Sequence, residues 1–258
     1  MTLPVVLCCA VSAKAPLPQM RFTARVTMGL MTYFCLMIYM SQIRFLERDG
    51  IKYIHVTSVT QFFPKLWKEA WQRKVGFEES DDVSQTAMRF GTEANRLIDL
   101  AIKGESLEYP DERTRVCVER AKKWIEDEGL HNITTQQELY HPKEIYCGQP
   151  DIFGLKNKWI FGDWKTGKNK SGESELQIGG YYGLFKANGI DIKKGWLIYL
   201  EQDLALRYGE CELRRFYQLF LKQLDLFRHY QKWEEKNGRN LGETRNKAKE
   251  GQEAESRG

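Results

Sequence analysis

The sequence lacks the cysteine and histidine spacing from which metal–sulfur sites are built. No C-x-x-C pair and no cluster of cysteine with histidine is present among Cys8, Cys9, Cys35, Cys117, Cys147 and Cys211. Because iron–sulfur centres need closely spaced thiolates, no iron–sulfur cluster is expected. We expect reduced, mostly buried thiols in an intracellular protein.

A long hydrophobic run is also missing. The most apolar stretch, Val26 to Met40, has about 15 residues and is interrupted by threonines, Gly29 and tyrosines. Since a membrane-spanning helix needs roughly 20 apolar residues, we expect no stable membrane association.

The body of the chain has almost no excess charge. The formal net charge is +4, but residues 1–39 contain Lys14, Arg21 and Arg25 and no acid, which leaves 36 basic against 35 acidic residues in the remainder. Net charge therefore does not predict a nucleic-acid partner.

Residues 1–39 differ from the rest in composition, because six of the seven methionines lie at or before Met40. They can be a mitochondrial transit peptide, a signal or anchor segment, or upstream sequence outside the working protein. We predict three parts: this extension over 1–39, one domain over 40–240, and a disordered polar tail over 241–258.

Local patterns predict four elements around the centre of the domain. They are a short helix capped by Thr57 or Ser58, a strand over Ile133 to Tyr140, a helix opened by Ser174, and a long helix over Phe216 to Trp233.

The centre of the domain is a predicted β-hairpin. Its strands are Ile145 to Leu155 and Trp159 to Trp164, with a polar turn around Asn157. Alternation along the second strand places Asp163 and Lys165 on one face, and Asp151 falls almost opposite Asp163 across the turn.

Two facing carboxylates repel each other and cost free energy when buried, so this pair requires a cation. Carboxylate oxygens favour Mg²⁺ or Mn²⁺, which can bind a phosphate oxygen and activate water. Lys165 can orient that water or offset negative charge. The residues therefore predict metal-assisted phosphodiester hydrolysis.

These residues also carry a family resemblance. The motifs are His55-Val56-Thr57-Ser58-Val59-Thr60, Phe90-Gly91-Thr92, Pro150-Asp151, Asp163-Trp164-Lys165 and Gln177-Ile178-Gly179-Gly180-Tyr181. In this order, over roughly Val56 to Leu200, they resemble the RecB-like exonuclease branch of the PD-(D/E)XK nuclease superfamily. The mitochondrial genome maintenance exonuclease and phage exonucleases are similar.

The resemblance implies a set of roles. Asp151, Asp163 and the carbonyl of Trp164 would bind the metal, Lys165 would be the catalytic lysine, and Gln177 and Tyr181 would support the site. Glu138 lies where many members carry a further acid. Asn95 stands where such members usually have a histidine metal ligand, which favours Mg²⁺ over softer ions. Asn95 can instead bond within the helix layer, and Asp99, one turn further on, either faces the acids or belongs to a solvated face.

The resemblance also implies a fold and a setting. We expect an α/β fold with a restriction-endonuclease-like αβββαβ core: a mixed central sheet flanked by helices, an N-terminal hairpin with helices, and a long C-terminal helix. The implied activity is a DNA nuclease, chiefly an exonuclease, in DNA replication, recombination or repair. Its partners would be single-stranded or duplex DNA ends and phage or host recombination or replication proteins. The implied location is intracellular, in a bacterial or phage-like cytoplasm or, alternatively, in mitochondria.

Two other functions compete with this interpretation. Residues 162–169 nearly match the P-loop pattern of NTPases, but Asn169 lacks the hydroxyl group that binds Mg²⁺ there. A non-catalytic nucleic-acid-binding module is the second alternative, since a set of lysines on the hairpin could contact phosphates. These are Lys156, Lys158, Lys165, Lys168 and Lys170.

Overall fold

The computed structural model describes the backbone of residues 43–62, 66–167 and 171–255, and the side chains of all of these except residues 66–70, 77 and 238–255. The predicted extension over residues 1–39 lies outside this part of the chain. The described strands are β1 (Phe45–Arg48), β2 (Ile51–His55), β3 (His131–Thr135), β4 (Leu139–His141), β5 (Tyr146–Gly148), β6 (Ile152–Leu155), β7 (Trp159–Lys165), β8 (Ile192–Tyr199) and β9 (Leu204–Gly209). The described helices are α1 (Val56–Thr60), α2 (Leu66–Val75), α3 (Phe77–Ile102), α4 (Glu112–Glu128), α5 (Gly172–Ala187) and α6 (Glu210–Glu255).

A five-stranded mixed sheet forms the centre of the fold, with strand order β3-β6-β7-β8-β9. Only β7 and β8 pair in parallel, because α5 connects them as a crossover, while the other neighbours are antiparallel. The chain order α4, β3, β6, β7, α5, β8 is the predicted αβββαβ core. The expected fold class is therefore confirmed.

Alternating side chains cover both faces of this sheet. Phe153, Phe161 and Leu197 belong to one hydrophobic cluster with α5 and α6. Ile152 and Ile198, each one residue away along its strand, belong to a second cluster with α3 and α4. Burial on both faces explains why these strands read as nearly continuous apolar runs.

A second, four-stranded sheet corrects the prediction of one continuous sheet. Its strand order is β1-β2-β5-β4. The predicted strand Ile133 to Tyr140 is interrupted at Gln136, whose φ is 51°, and becomes β3 and β4 in different sheets. The predicted strand Ile145 to Leu155 is likewise divided at residues 149–151, where Pro150 has no N–H to donate to a ladder.

Helix boundaries also differ from the predictions. α5 begins at Gly172 because Ser171 caps it, its hydroxyl accepting the N–H of Ser174, which was itself the predicted cap. α6 was expected over Phe216 to Trp233 but continues to Glu255, so its backbone is helical within the stretch for which a disordered tail is predicted. No helix within the described residues is both long and apolar enough to cross a membrane.

Helix α5 is the most deeply packed helix around the site. Every residue from Ile178 to Phe185 is buried, and Gly179 lets α6 approach closely. A Cβ atom at Gly179 would lie 2.4 Å from the carbonyl carbon of Phe216. This contact accounts for a glycine in the middle of a helix, where it otherwise reduces stability.

Candidate active site

A cleft of about 470 Å³ opens where β6 begins and β7 ends. All but one of the predicted site residues line it, namely Asn95, Asp151, Asp163, Trp164, Lys165, Gln177 and Tyr181. They come from β7, from the linker before β6, and from helices α3 and α5. Elements distant in sequence thus converge on one cavity.

Asp151 lies on the linker between β5 and β6 and is only 9% exposed. Its Oδ2 accepts the backbone N–H of Trp164 at 2.8 Å, and its Oδ1 accepts from Nε2 of Gln136 at 2.9 Å. Burial, and then repulsion by Asp163, raise the pKa of Asp151 to about 7. The carboxylate is held in place but is electrostatically unfavourable without a nearby positive charge.

Asp163 faces Asp151 across the hairpin. Ile152 pairs with Gly162 in the antiparallel ladder, so the next positions are Asp151 and Asp163, in the register predicted from a turn at Asn157. Asp163 is 1% exposed. A carboxylate this deeply buried needs ionic or hydrogen-bonding partners.

Lys165 provides the nearest positive charge. Its Nζ lies 2.5 Å from Oδ2 of Asp163, and both side chains project from the same face of β7. Burial by itself would lower the pKa of Lys165, but the negative charges of Asp163 and Asp151 outweigh burial and raise it. Lys165 is therefore an ammonium group at neutral pH.

Helix α5 supplies a bridging amide. Gln177 accepts a hydrogen bond from Lys165 at 2.8 Å through Oε1, and its Nε2 lies 3.2 Å from Oδ1 of Asp163. The same Nε2 is 2.8 Å from the hydroxyl oxygen of Tyr181, one helical turn away. The Gln-x-x-x-Tyr spacing thus places both side chains against the acid and the lysine.

Helix α3 brings two further polar residues to the cleft. Nδ2 of Asn95 lies 3.5 Å from Oδ1 of Asp151, a long contact at the limit of a hydrogen bond. Asp99 lines the cleft too, but its carboxylate is bonded to the hydroxyl of Thr135 and to Lys103. Of the two, Asn95 is the one that approaches the paired acids.

Glu138 is the predicted site residue that does not line the cleft. It is exposed, and its carboxylate accepts hydrogen bonds from Tyr140 at 2.7 Å and Gln149 at 3.1 Å. The prediction that Glu138 lies on the strand before the hairpin is wrong, because the chain leaves the five-stranded sheet at Gln136. Glu138 therefore contacts a cleft residue, Gln149, without reaching the cleft itself.

Several cleft residues were not predicted from the sequence. Arg44, Arg96, Gln136 and Gln149 all line the cavity. Arg44 precedes the first hairpin and Gln149 lies beside Asp151 in the linker between sheets, and neither position follows a strand or helix period. Gln136 lies in the middle of the predicted strand Ile133 to Tyr140, and no local pattern there indicated that the chain turns towards the cleft.

His55 caps helix α1 from inside the cleft wall. Its Nδ1 accepts the backbone N–H of Thr57 at 3.3 Å, where Thr57 or Ser58 was expected to act as the cap. The side chain is 3% exposed, and burial, followed by the charge of Arg44, lowers the pKa of His55 to about 4. His55 is therefore a neutral imidazole at physiological pH.

The donor set suits a hard divalent cation. Two facing buried carboxylates and one ammonium leave an excess negative charge when both acids are ionised, and burial, followed by repulsion from Asp163, raises the pKa of Asp151 to about 7. No group of three or more histidine, cysteine, aspartate or glutamate side chains within the described residues could hold a metal. A metal bound here would need main-chain, amide or water oxygens besides Asp151 and Asp163, which is usual for Mg²⁺.

The structure also bears on the two competing sequence motifs. The first residues of the near P-loop, 162–165, belong to strand β7 and are not free to wrap a phosphate, and residues 168–170 lie outside the described residues. Lys156 and Lys158 lie at the turn, seven or more positions from Lys165, which at about 3.3 Å per residue is roughly 23 Å away. The expected lysine cluster on the hairpin is therefore not formed by these three residues.

Three solved structures with which the chain can be compared have low similarity to it. A crystal structure of SSO0001 has 16% sequence identity and a TM-score of 0.32, covering 76% of this chain and 87% of that chain. An alkaline exonuclease, LHK-Exo from Laribacter hongkongensis, has 14% identity and a TM-score of 0.32, covering 72% of this chain and 94% of that chain. LHK-Exo in complex with dAMP has 14% identity and a TM-score of 0.31, with 57% and 85% covered. No protein-family model and no curated protein matches the chain significantly, so its function has to be inferred from the site itself.

Proposed function

We propose that the protein is a metal-dependent nuclease that hydrolyses phosphodiester bonds in DNA, acting from DNA ends. The observation that supports this most strongly is the arrangement of Asp151, Asp163 and Lys165 at one end of the central sheet. Two buried carboxylates occupy facing positions, and the lysine is ion-paired with one of them at 2.5 Å. Burying such a group of charges reduces the stability of the folded protein, and such a group is typical of a catalytic site.

The two carboxylates are the proposed metal ligands, with the carbonyl oxygen of Trp164 as a further candidate. When bound, a Mg²⁺ or Mn²⁺ ion supplies Lewis-acid stabilisation of phosphate charge and a more acidic water. Asp151 is prepared for this role because Gln136 and the Trp164 N–H fix its orientation.

Lys165 is the proposed catalytic lysine. An ammonium group has three N–H donors, and within the described residues its Nζ is ion-paired with Asp163 and donates to Gln177. We propose that a further N–H holds the attacking water or a non-bridging phosphate oxygen. Gln177 keeps the ammonium next to Asp163, so the positive charge stays where negative charge develops during phosphoryl transfer.

Cleft residues outside this centre fit a nucleic-acid strand. Arg44 supplies a cationic donor, and Thr92 and Gln149 supply neutral ones, while Arg96 is ion-paired with Glu93 on its own helix. None of these groups reads a particular base by itself. We therefore propose a sequence-independent activity in DNA replication, recombination or repair.

The test uses the purified protein with end-labelled linear and circular DNA, single-stranded and duplex, in Mg²⁺ or Mn²⁺. We expect linear DNA to be degraded and circular DNA to persist. Asp163→Asn and Lys165→Met should each lower the rate by about 10² to 10³-fold. Both variants should keep the wild-type circular dichroism spectrum, since each replacement conserves volume.

Lys158→Met is the matched control, because it removes a lysine at the far end of the same hairpin. It should cut DNA at the wild-type rate. Cleavage of circular DNA would show that the protein is an endonuclease and contradict the proposed exonuclease activity. DNA binding without cleavage in either metal would contradict the nuclease assignment and favour a non-catalytic binding module.

A further inference from the structure

Gln136 adopts a backbone conformation that is unusual for its residue type. Its φ is 51°, in the left-handed region that residues other than glycine, asparagine and aspartate seldom occupy. The other described non-glycine residues with positive φ are Asp49, Asn132, Ile145 and Asp203, and none of these lines the cleft. Strained residues of this kind persist where the surrounding structure requires them, often at functional sites.

The turn at Gln136 directs two hydrogen bonds to one residue. Nε2 donates to Oδ1 of Asp151 at 2.9 Å, and the backbone N–H lies 3.4 Å from the carbonyl oxygen of Asp151. Thr135 pairs with Ile152 at the end of the β3–β6 ladder, so Gln136 occupies the next position, opposite Asp151. The turn therefore does not remove the side chain from the site.

The ladders place three polar residues in a row across adjacent strands. Gln136 follows β3, Asp151 precedes β6 and Asp163 belongs to β7, and the observed registers align them side by side. Asp151 thus has an amide donor on one side and a carboxylate on the other. Its Oδ2 is bonded to the Trp164 N–H, so both carboxylate oxygens have a fixed donor.

A neutral amide is well suited to this position. A lysine or arginine beside Asp151 would compete with a divalent cation, and a third carboxylate would add repulsion. An amide N–H instead restrains rotation of the carboxylate and leaves the second lone pair of Oδ2 available to a ligand, while Oδ1 has, among the described residues, only the long contact with Asn95 besides Gln136. Outer residues that orient metal ligands in this way commonly change metal affinity when replaced.

We propose that Gln136 is a positioning residue that fixes the Asp151 carboxylate for binding a divalent cation. This inference rests on the proposed function and adds to it a residue that the sequence motifs do not contain. Gln136 acts through Asp151 and needs no contact with the substrate. Its removal should therefore affect the affinity for the metal more than the rate at saturating metal.

The test measures Mg²⁺ and Mn²⁺ binding by isothermal titration calorimetry and the dependence of cleavage on metal concentration. Gln136→Met removes the amide at nearly constant length, and Gln136→Gly also removes the backbone strain. Both should raise the dissociation constant and the half-saturating metal concentration by about 10 to 100-fold. The rate at saturating metal should stay within a few-fold of wild type.

Gln137→Met is the matched control, because Gln137 is the exposed neighbour in the chain. It should bind metal and cut DNA as wild type does. The role of the amide would be overturned by wild-type metal affinity in Gln136→Met. It would also be overturned if Gln136→Met lost metal affinity while Gln136→Gly kept it in full. Either result would leave the nuclease proposal intact. A wild-type protein that neither binds divalent metal nor cuts DNA would overturn both. Should Gln136→Met fail to fold, Gln136→Gly decides alone, since glycine adopts this φ freely.

Discussion

At the scale of single residues, Asp151 should make the stability of the metal-free protein depend on pH. Its pKa rises from 3.8 to about 7 on folding, chiefly through burial and then through Asp163. An acid with a raised folded-state pKa binds its proton more tightly in the native protein. The stability that Asp151 contributes through this proton is therefore complete below about pH 4 and is lost as the pH rises to about 7.

We expect urea unfolding in EDTA to show this loss in wild type but not in Asp151→Asn, which cannot titrate. The comparison of the two proteins at each pH isolates the contribution of this residue from that of other groups. Equal pH dependence in both would contradict the effect. Added Mg²⁺ should reduce the loss in wild type, because binding to the native state favours the ionised carboxylate.

His55 should have the opposite effect over nearly the same pH range. Burial and Arg44 lower its pKa from 6.5 to about 4 in the folded protein. The stability that it contributes is complete above about pH 6.5 and is lost as the pH falls towards 4, because protonation favours the unfolded chain.

His55→Asn should abolish this part of the acid sensitivity, measured as the midpoint of thermal unfolding between pH 4 and 7. Asparagine is also a favourable helix cap, so the bond to the Thr57 N–H can be retained. A variant that loses stability equally at all pH values would show that capping, and not the buried imidazole, dominates.

Asn95 determines whether the proposed metal site has only oxygen ligands. It approaches Asp151 at 3.5 Å, so an imidazole in its place should come within reach of a bound ion. Asn95→His should lower the half-saturating Mn²⁺ concentration relative to that of Mg²⁺, because nitrogen ligands favour later divalent ions. Asn95→Ala should cost much less activity than Asp151→Asn. Metal titrations of cleavage check both, and unchanged values in both Asn95 variants would exclude this residue from the site.

At the scale of helices, the crossing of α5 and α6 depends on a missing side chain. A Cβ at Gly179 would lie 2.4 Å from the backbone of Phe216, which cannot move without displacing α6. Gly179→Ala should therefore lower the free energy of unfolding by about 1–3 kcal/mol, as overpacking does, despite the better helix propensity of alanine. Gly172→Ala in the same helix, where nothing lies within 4 Å, should be neutral or slightly stabilising. Denaturant unfolding compares the two, and equal effects would contradict the packing explanation.

Strand alternation was sufficient to predict that Asp163 and Lys165 lie together, whereas Gln177 and Tyr181 were assigned to the site by the family resemblance. Asp163 and Lys165 share a face because they are two apart on β7, and Gln177 and Tyr181 share one because they are four apart on α5. Gln136 and Glu138 were misplaced for a different reason. The turn at Gln136 has a positive φ, but the residue is neither glycine nor asparagine, which would have indicated such a turn. The sequence therefore predicts one continuous strand.

At the scale of the whole molecule, every described residue that lines the cleft lies between Arg44 and Tyr181. Residues 1–39 contribute none of the predicted site residues. We expect a protein that starts at Met40 to be soluble and to cut DNA at the wild-type rate. An insoluble or inactive truncated protein, beside an active full-length chain, would show that the extension is needed.

The general architecture was predictable because the hydrophobic pattern indicated the helices and strands along the chain and the family resemblance implied the fold that they form. The division into two sheets was not, because it depends on pairings between distant segments such as Ile54 with Tyr146. The sequence of neither segment indicates the distant segment with which it pairs. The cleft residues Arg44 and Gln149 were missed for the same reason, since each is placed by the second sheet or by the linker to it.

The linker of residues 149–151 passes from one sheet to the other, and Asp151 is its last residue. Ile152 pairs with Gly162, and the Asp151 carboxylate is bonded to Gln136 and to the Trp164 N–H, so Asp151 is anchored in the five-stranded sheet. A ligand that binds both carboxylates therefore joins two neighbouring strands of that sheet. Slower amide hydrogen exchange on metal binding should then appear at the paired ends of β6 and β7, while β2 and β5 of the four-stranded sheet exchange as in the metal-free protein.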